Sequence, residues 1–254
     1  MKIIVLVKQV PDTWGDRRLD ATTGRLDRAA SDAIIDEIGE RAIEVALLHK
    51  DANPGTEVVV ATMGPAGATD VLRKGLAMGA DSAIHVVDDA LEGSDLTWTA
   101  AALAAAIGTG WDVVIAGNES TDGRGGVLPA MLAERLGVPH LTSLDTIAIT
   151  ADTVSGERVT EYGTIDAHAS LPAVISVTER SAEPRFPGFK GILGAKKKPV
   201  ATLDVAALGI TLPPPGSVVL STTERPARDA GVRITDDGTA AAQLVEFLAA
   251  RHLL

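Results

Sequence analysis

Short runs rich in valine and isoleucine recur along this chain, at residues 2–7, 57–62, 82–87, 112–116 and 171–177, and they restrict the fold more than any other feature. Each is too short for a typical helix and lacks the polar alternation of a half-exposed strand. Each therefore reads as a strand buried on both faces, which a parallel sheet requires. A turn containing Gly, Pro or Asp follows each run, and then a helical pattern. Ile34/Ile35, Ile38, Ala42 and Val45/Ala46 repeat every three to four residues, as do Val71/Leu72, Leu76 and Met78, and then Leu128, Met131/Leu132 and Leu136. These are helices with one apolar stripe. Alternating strands and helices predict right-handed crossovers, an α/β fold with a doubly wound, mostly parallel sheet, and ligands bound beyond the strands' carboxyl ends.

Residues 143–169 break the rhythm. Leu144, Ile147 and Ile149, then Val154, Val159 and Ile165, are separated by Ser155-Gly156 and Tyr162-Gly163, the pattern of a β-hairpin excursion added to the sheet. Pro213-Pro214-Pro215-Gly216 can continue neither a helix nor a central strand. The chain thus divides into an α/β domain, 1–205, and a C-terminal arm, 206–254, which ends in a helical stretch near 239–251. With few large apolar residues, the arm is expected to pack on a partner rather than form a core.

Composition narrows the function. Apolar residues make up 46% and charged residues 22%, which excludes a disordered chain. A formal charge of −11 disfavours nucleic acid and anionic membranes as partners. The absence of cysteine excludes disulfides, thiolate metal sites and a Cys nucleophile. The opening Met-Lys-Ile-Ile-Val-Leu-Val runs straight into a strand without a signal-peptide pattern, and no apolar run approaches the ~20 residues of a membrane span. A cytoplasmic location is expected.

The turns after the strands carry the chemistry. One, Gly117-Asn118-Glu119-Ser120-Thr121-Asp122-Gly123-Arg124-Gly125-Gly126-Val127-Leu128, holds four glycines and opens into a helix. Glycine permits close approach and positive φ, and free N–H groups at the helix start, with the Ser120 and Thr121 hydroxyls and Arg124, form an anion site. The alternative is a tight loop needing glycine for geometry alone. The sequence does not match G-x-x-x-x-G-K-[ST], which argues against a P-loop triphosphatase. Met63 lies over an adenine ring or packs in the core. Lys8 and Gln9 bring a cation and an amide to the same edge. Asp36 and Glu37 bond a ribose or simply favour a helix start. The five histidines, His49, His85, His140, His168 and His252, have no metal-ligand spacing, and no G-x-S-x-G elbow occurs. Phe186 and Phe189 sit in a Pro- and Gly-rich segment. There they are either exposed docking residues or fold back on the core. Lys196-Lys197-Lys198 reads as a solvated face.

Taken together, these residues resemble the beta subunit of electron transfer flavoprotein, including its nitrogen-fixation-associated relatives. The carriers are Ile4 to Asp12, Asp36 to Glu44, Met63-Gly64-Pro65, Leu76 to Asp81, the loop Ala116 to Gly123, Glu183-Pro184-Arg185 and Ala195 to Lys198. The resemblance implies a Rossmann-like three-layer αβα sandwich of the adenine nucleotide α-hydrolase-like kind. It also implies a heterodimer with an alpha subunit that holds most of a shared, redox-active FAD, and a structural AMP in this chain. Matching positions place AMP among Leu6, Asp36, Glu37, Ile38, Gly39, Met63 and Gly117 to Leu128, and make Phe189 the anchor for a dehydrogenase. Electrons would pass from acyl-CoA or other dehydrogenases, as in fatty acid β-oxidation, through the flavin to a membrane quinone oxidoreductase. No catalytic residue is expected in this chain. Two alternatives remain: an electron-bifurcating subunit with a second FAD in the AMP pocket, and a nucleotide-sensing stress-type protein or ATP-pyrophosphate-cleaving enzyme on the same fold.

Overall fold

A computed structural model of the 254-residue chain describes every residue except positions 16, 212, 213, 215, 224 and 229. Two compact units result, residues 1–220 and residues 221–254. The first contains β1 (Lys2–Leu6), β2 (Gln9–Pro11), β3 (Ala33–Ile35), α1 (Glu37–Ala52), β4 (Glu57–Met63), α2 (Thr69–Met78), β5 (Ser82–Val86), α3 (Leu96–Ile107), β6 (Val113–Gly117), α4 (Leu128–Leu136), β7 (His140–Leu144), β8 (Ala148–Ile149), β9 (Thr153–Thr160), β10 (Gly163–Ser170), β11 (Ala173–Val177), α5 (Phe189–Ala195), β12 (Val200–Leu203) and α6 (Val205–Leu208). The second contains α7 (Ala240–Ala250), none of whose side chains is buried.

Seven strands form one sheet in the order β12-β5-β4-β1-β6-β11-β7, and every neighbouring pair is parallel. The period of two along β1 sends Ile3 and Val5 to one face and Ile4 and Leu6 to the other. The first pair packs with Ile43 and Leu47 of α1 and Leu72 and Leu76 of α2. The second packs with Leu103 of α3 and Leu132 of α4. Three layers follow, with the sheet in the middle. From β1 the chain winds outward through β4 and β5, then crosses to β6 on β1's other side, so strand order reverses at β1. The crevice for a ligand therefore opens beyond the carboxyl ends of β1 and its two neighbours.

Several details differ from expectation. Ile34 and Ile35 lie in β3, paired antiparallel with β2, and α1 begins only at Glu37. Leu144 ends β7, a strand of the central sheet, so the antiparallel excursion is confined to β8, β9 and β10, a separate three-stranded sheet. Helix α3 has no counterpart in the apolar periodicity, because its alanine-rich sequence, LTWTAAALAAAI, carries no polar face to define a stripe. Residues 205, 208 and 210, on and beside the expected domain boundary, pack against Val86, Leu91 and Ala102. The Pro213-Pro214-Pro215 break falls mostly outside the described residues.

The segment after β11 is pinned at both ends. Glu44 of α1 is 4% exposed. Arg185 meets it with Nε at 2.8 Å and Nη2 at 2.8 Å, while Nη2 also reaches Asp51 at 2.8 Å. Those hydrogen bonds, chiefly the ones to Glu44, hold the guanidinium above its ordinary pKa. At the far end Lys198 Nζ donates to the Leu76 carbonyl at 2.9 Å and to that of Ala80, capping α2. Arg73 Nη1 donates to Ala195 O at 2.7 Å and Lys198 O at 3.0 Å. Lys198 is thus a structural cap rather than part of a solvated face. Between the pins α5 packs on α2 where Gly191 leaves room; a Cβ there would lie 2.3 Å from Ala77 O. Phe186 and Phe189 stay 96% and 79% exposed, so neither folds back onto the core.

Candidate functional site

Three turns converge at the crevice, each tied to another by a polar contact. The turn after β1 meets the one after β4 through Gln9 Nε2, which donates to Gly67 O at 3.0 Å. It meets the turn after β6 through Lys8 Nζ, which donates to Ser120 Oγ at 3.2 Å and Asp122 Oδ1 at 2.7 Å. The third tie is Asp36. Its Oδ1 accepts from Ile38 N at 3.1 Å as the N-cap of α1, and its Oδ2 accepts from Thr121 N at 2.7 Å and Thr121 Oγ1 at 2.8 Å. Both oxygens of this buried carboxylate are thus engaged by the chain, so it caps a helix and moors the loop.

The remaining predicted positions fall around that frame. Leu6 is buried in the second apolar cluster, and Met63 packs at its edge. Glu37 is exposed on the first turn of α1, and Ile38 and Gly39 are buried beside it. Gly117 packs against Ile38: an added Cβ would sit 3.0 Å from Ile38 Cγ2, so a side chain there would need Ile38 to shift by a few tenths of an ångström. Asn118 N bonds Val177 O at 2.8 Å, while its Oδ1 is buried with no partner. Glu119 is half-buried. Arg124 holds φ at +47°, its N–H bonded to Ser120 O at 2.9 Å. Gly123, Gly125, Gly126 and Val127 are exposed, and Leu128 opens α4, whose N-terminus receives no side-chain cap. His85 is a packing residue, between Thr69 Oγ1 and Gly64 O, each at 3.2 Å.

Asp122 is the most strongly perturbed group in the loop. Burial alone would raise its pKa, but the hydrogen bond and charge of Lys8, with Ser120 and the Gly123 N–H, outweigh that and lower it to about 2. Two further cations come from the excursion between β2 and β3, which glycine spacing did not reveal. Arg28 Nη2 reaches Asp122 at 3.0 Å, and Arg17 donates to the Thr121 carbonyl and hydroxyl. No sequence pattern links Arg28 to a loop so distant along the chain.

The residues present suit an adenine nucleotide. Beside Asn118 Oδ1, Thr62 Oγ1 at the end of β4 is also buried without a partner. The two orphans lie at strand ends on either side of β1, where a polar ligand would satisfy them. Exposed main-chain N–H groups and an uncapped helix start supply the place for a phosphate. Among the described residues no group of histidine and carboxylate side chains could hold a metal, and no helix is long and apolar enough to cross a membrane.

Sheet and crevice together define a doubly wound α/β protein with a candidate nucleotide site at its switch point. A family model, the electron transfer flavoprotein domain, matches residues 23–208. Over 263 aligned positions the chain is 50% identical to the electron transfer flavoprotein subunit beta of Mycobacterium tuberculosis, covering 99% of each, and equally so to that of Mycobacterium leprae. It is 34% identical to the caffeyl-CoA reductase-Etf complex subunit CarD of Acetobacterium woodii over the whole of both chains. The chain belongs to the electron transfer flavoprotein beta-subunit family, whose role is electron transfer.

Proposed function

We propose that this chain is the AMP-holding half of a cytoplasmic heterodimer that carries electrons on a FAD bound mostly by its alpha subunit. The observation that carries the reading is the pair of orphaned polar atoms, Asn118 Oδ1 and Thr62 Oγ1, beside a moored loop with free main-chain donors, in a chain of this family. FAD, when bound, supplies the redox chemistry. This chain's residues would bind, orient and dock, with none acting as a catalytic group. The loop from Gly117 to Leu128 would hold the phosphate of AMP, and a ligand that binds only the folded state stabilises it. Acyl-CoA or other dehydrogenases are the proposed donors and a membrane quinone oxidoreductase the proposed acceptor.

The test is mass analysis of nucleotides released from the purified complex. One FAD and one AMP per heterodimer support the reading. Two flavins support the alternative, a second FAD in this pocket, to which the likeness to a subunit of a caffeyl-CoA reductase-Etf complex gives some weight. A yellow alpha subunit that does not co-purify with this chain would favour a nucleotide sensor.

Exposure of Phe189 supports the docking part of the proposal. Phe189→Ala should slow reduction of the flavin by the dehydrogenase about tenfold, the loss of one interface anchor of ~1.4 kcal/mol, while nucleotide content and assembly stay unchanged. A dissociated heterodimer would instead place Phe189 against the alpha subunit.

A further inference from the structure

A small hairpin stands in the excursion between β2 and β3. Within residues 17–28, Leu19 and Leu26 form an antiparallel bridge. Asp20 N donates to Arg25 O at 2.7 Å, and Asp27 N to Arg18 O at 2.9 Å. Its turn closes on the Asp20 carboxylate, which accepts from Thr22 N at 2.9 Å and Thr23 N at 2.6 Å. Bonded to itself in this way, the hairpin can move as one piece. It buries little, since Arg17, Gly24 and Leu26 are half-buried and the other residues of 17–28 are exposed.

Arginines at the two ends of the hairpin reach either side of the crevice. At its base Arg17 donates to the Thr121 carbonyl and, at 3.3 Å, to the Thr121 hydroxyl, while Arg28 Nη2 reaches Asp122 at 3.0 Å; both partners follow β6. At its tip Arg25 Nη1 meets Glu92 Oε1 at 2.7 Å in the turn after β5. Gly93 leaves room there, because a Cβ on it would lie 2.7 Å from Arg25 Nε. In the sheet β4 and β1 stand between β5 and β6, so these ties span the strands beyond which the crevice opens.

The ties that close the hairpin down are weak. The tip pair joins side chains 49% and 73% exposed, a kind of contact that contributes little singly and is screened by salt. In the closed arrangement Arg17 Nε is buried with no partner. An unmet buried donor opposes the arrangement that buries it. A ligand that offers an acceptor in the crevice therefore favours closure.

We propose that residues 17–28 are a strap across the mouth of the crevice, drawn shut by an anionic ligand that accepts from Arg17, and that the strap sets how fast the ligand leaves. The inference rests on the nucleotide reading given above and adds to it a device for retention. Arg25 acts through Glu92 and is a positioning residue.

Arg25→Glu in the complex of the full chain with its alpha subunit tests this, with radiolabelled AMP as the probe. Chased by excess unlabelled AMP, the label should leave the variant about fivefold faster than the wild type. Adding Glu92→Arg restores the pair with its charges exchanged and should recover most of the retention. Label that leaves Arg25→Glu at the wild-type rate overturns the proposal, as does a double variant that releases as fast as the single one. A second readout needs no variant: saturating AMP should slow tryptic cleavage after Arg18 and Arg25 of the wild-type complex by about fivefold or more. Cleavage indifferent to AMP overturns the strap. An Arg25→Glu chain that folds but no longer holds its alpha subunit would place the hairpin in the subunit interface and overturn it too. A wild-type complex that retains no AMP removes the nucleotide reading itself, and the strap with it, a result distinct from AMP held equally well by every variant.

Discussion

Arg185→Ala should lower the free energy of unfolding by about 3–5 kcal/mol, because it leaves the Glu44 carboxylate buried with no cation opposite it. Glu44 is 4% exposed, and Arg185 gives it contacts from Nε and Nη2 as well as its own main-chain N–H at 3.1 Å. Only the main-chain contact survives the substitution. Urea unfolding at constant slope measures the loss as a lowered midpoint. Combining Glu44→Gln with Arg185→Ala should recover part of it, since no charge is then left in the dry site. A single variant within about 1 kcal/mol of wild type would show the pair to be as weak as an exposed one. The substitution also unpins the segment that carries Phe186 and Phe189, so dehydrogenase docking should suffer even at temperatures where the sheet is intact.

Asp36→Ala should cost about 2–4 kcal/mol and abolish nucleotide retention. Losing an N-cap costs about 0.5–2 kcal/mol, and the Thr121 N–H and hydroxyl lose their acceptor as well. The glycine-rich loop would then be held mainly by Asp122. Asp36→Asn leaves one acceptor oxygen, which can serve either Ile38 N or Thr121 N but not both, so it should be the milder change. Equal damage from Asn and Ala would mean that the charge, and not the hydrogen bonding, holds the loop. Nucleotide mass analysis alongside urea unfolding separates a loosened site from an unfolded chain.

Much of the architecture was legible because burial on both faces leaves a plain signature. Val113, Val114 and Ile115, or Val174 and Ile175, have no polar alternation because neither face of the sheet meets water. The crevice was legible for a related reason: glycines after a buried strand mark the switch point. What could not be read depended on partners distant in sequence. Gly117, one of the four glycines of that loop, sits against Ile38, a contact that no spacing announces. Asp36 read either as a ribose ligand or as a favoured helix start, and no spacing announces that its second oxygen moors Thr121. Arg28 and Arg17 lie in a stretch that carries no motif, although one closes on Asp122 and the other on Thr121. Lys198 read as one of three solvated lysines, and only the end of α2, brought near by the β12 crossover, makes it a cap. Edge strand β12 leaves no signature because Val200 to Leu203 are half-buried or exposed, so the run is no more apolar than a loop.

The position of β11 between β6 and β7 bears on the order of assembly during synthesis. Residues 140–144 leave the ribosome well before residues 173–177, yet among the described residues of the sheet β7 pairs only with β11. A nascent chain ending in the hairpin therefore exposes one unpaired edge on β6 and a detached β7, and an untimely pairing of those two would shut β11 out. Non-local parallel pairing of this kind is slow and prone to association before completion.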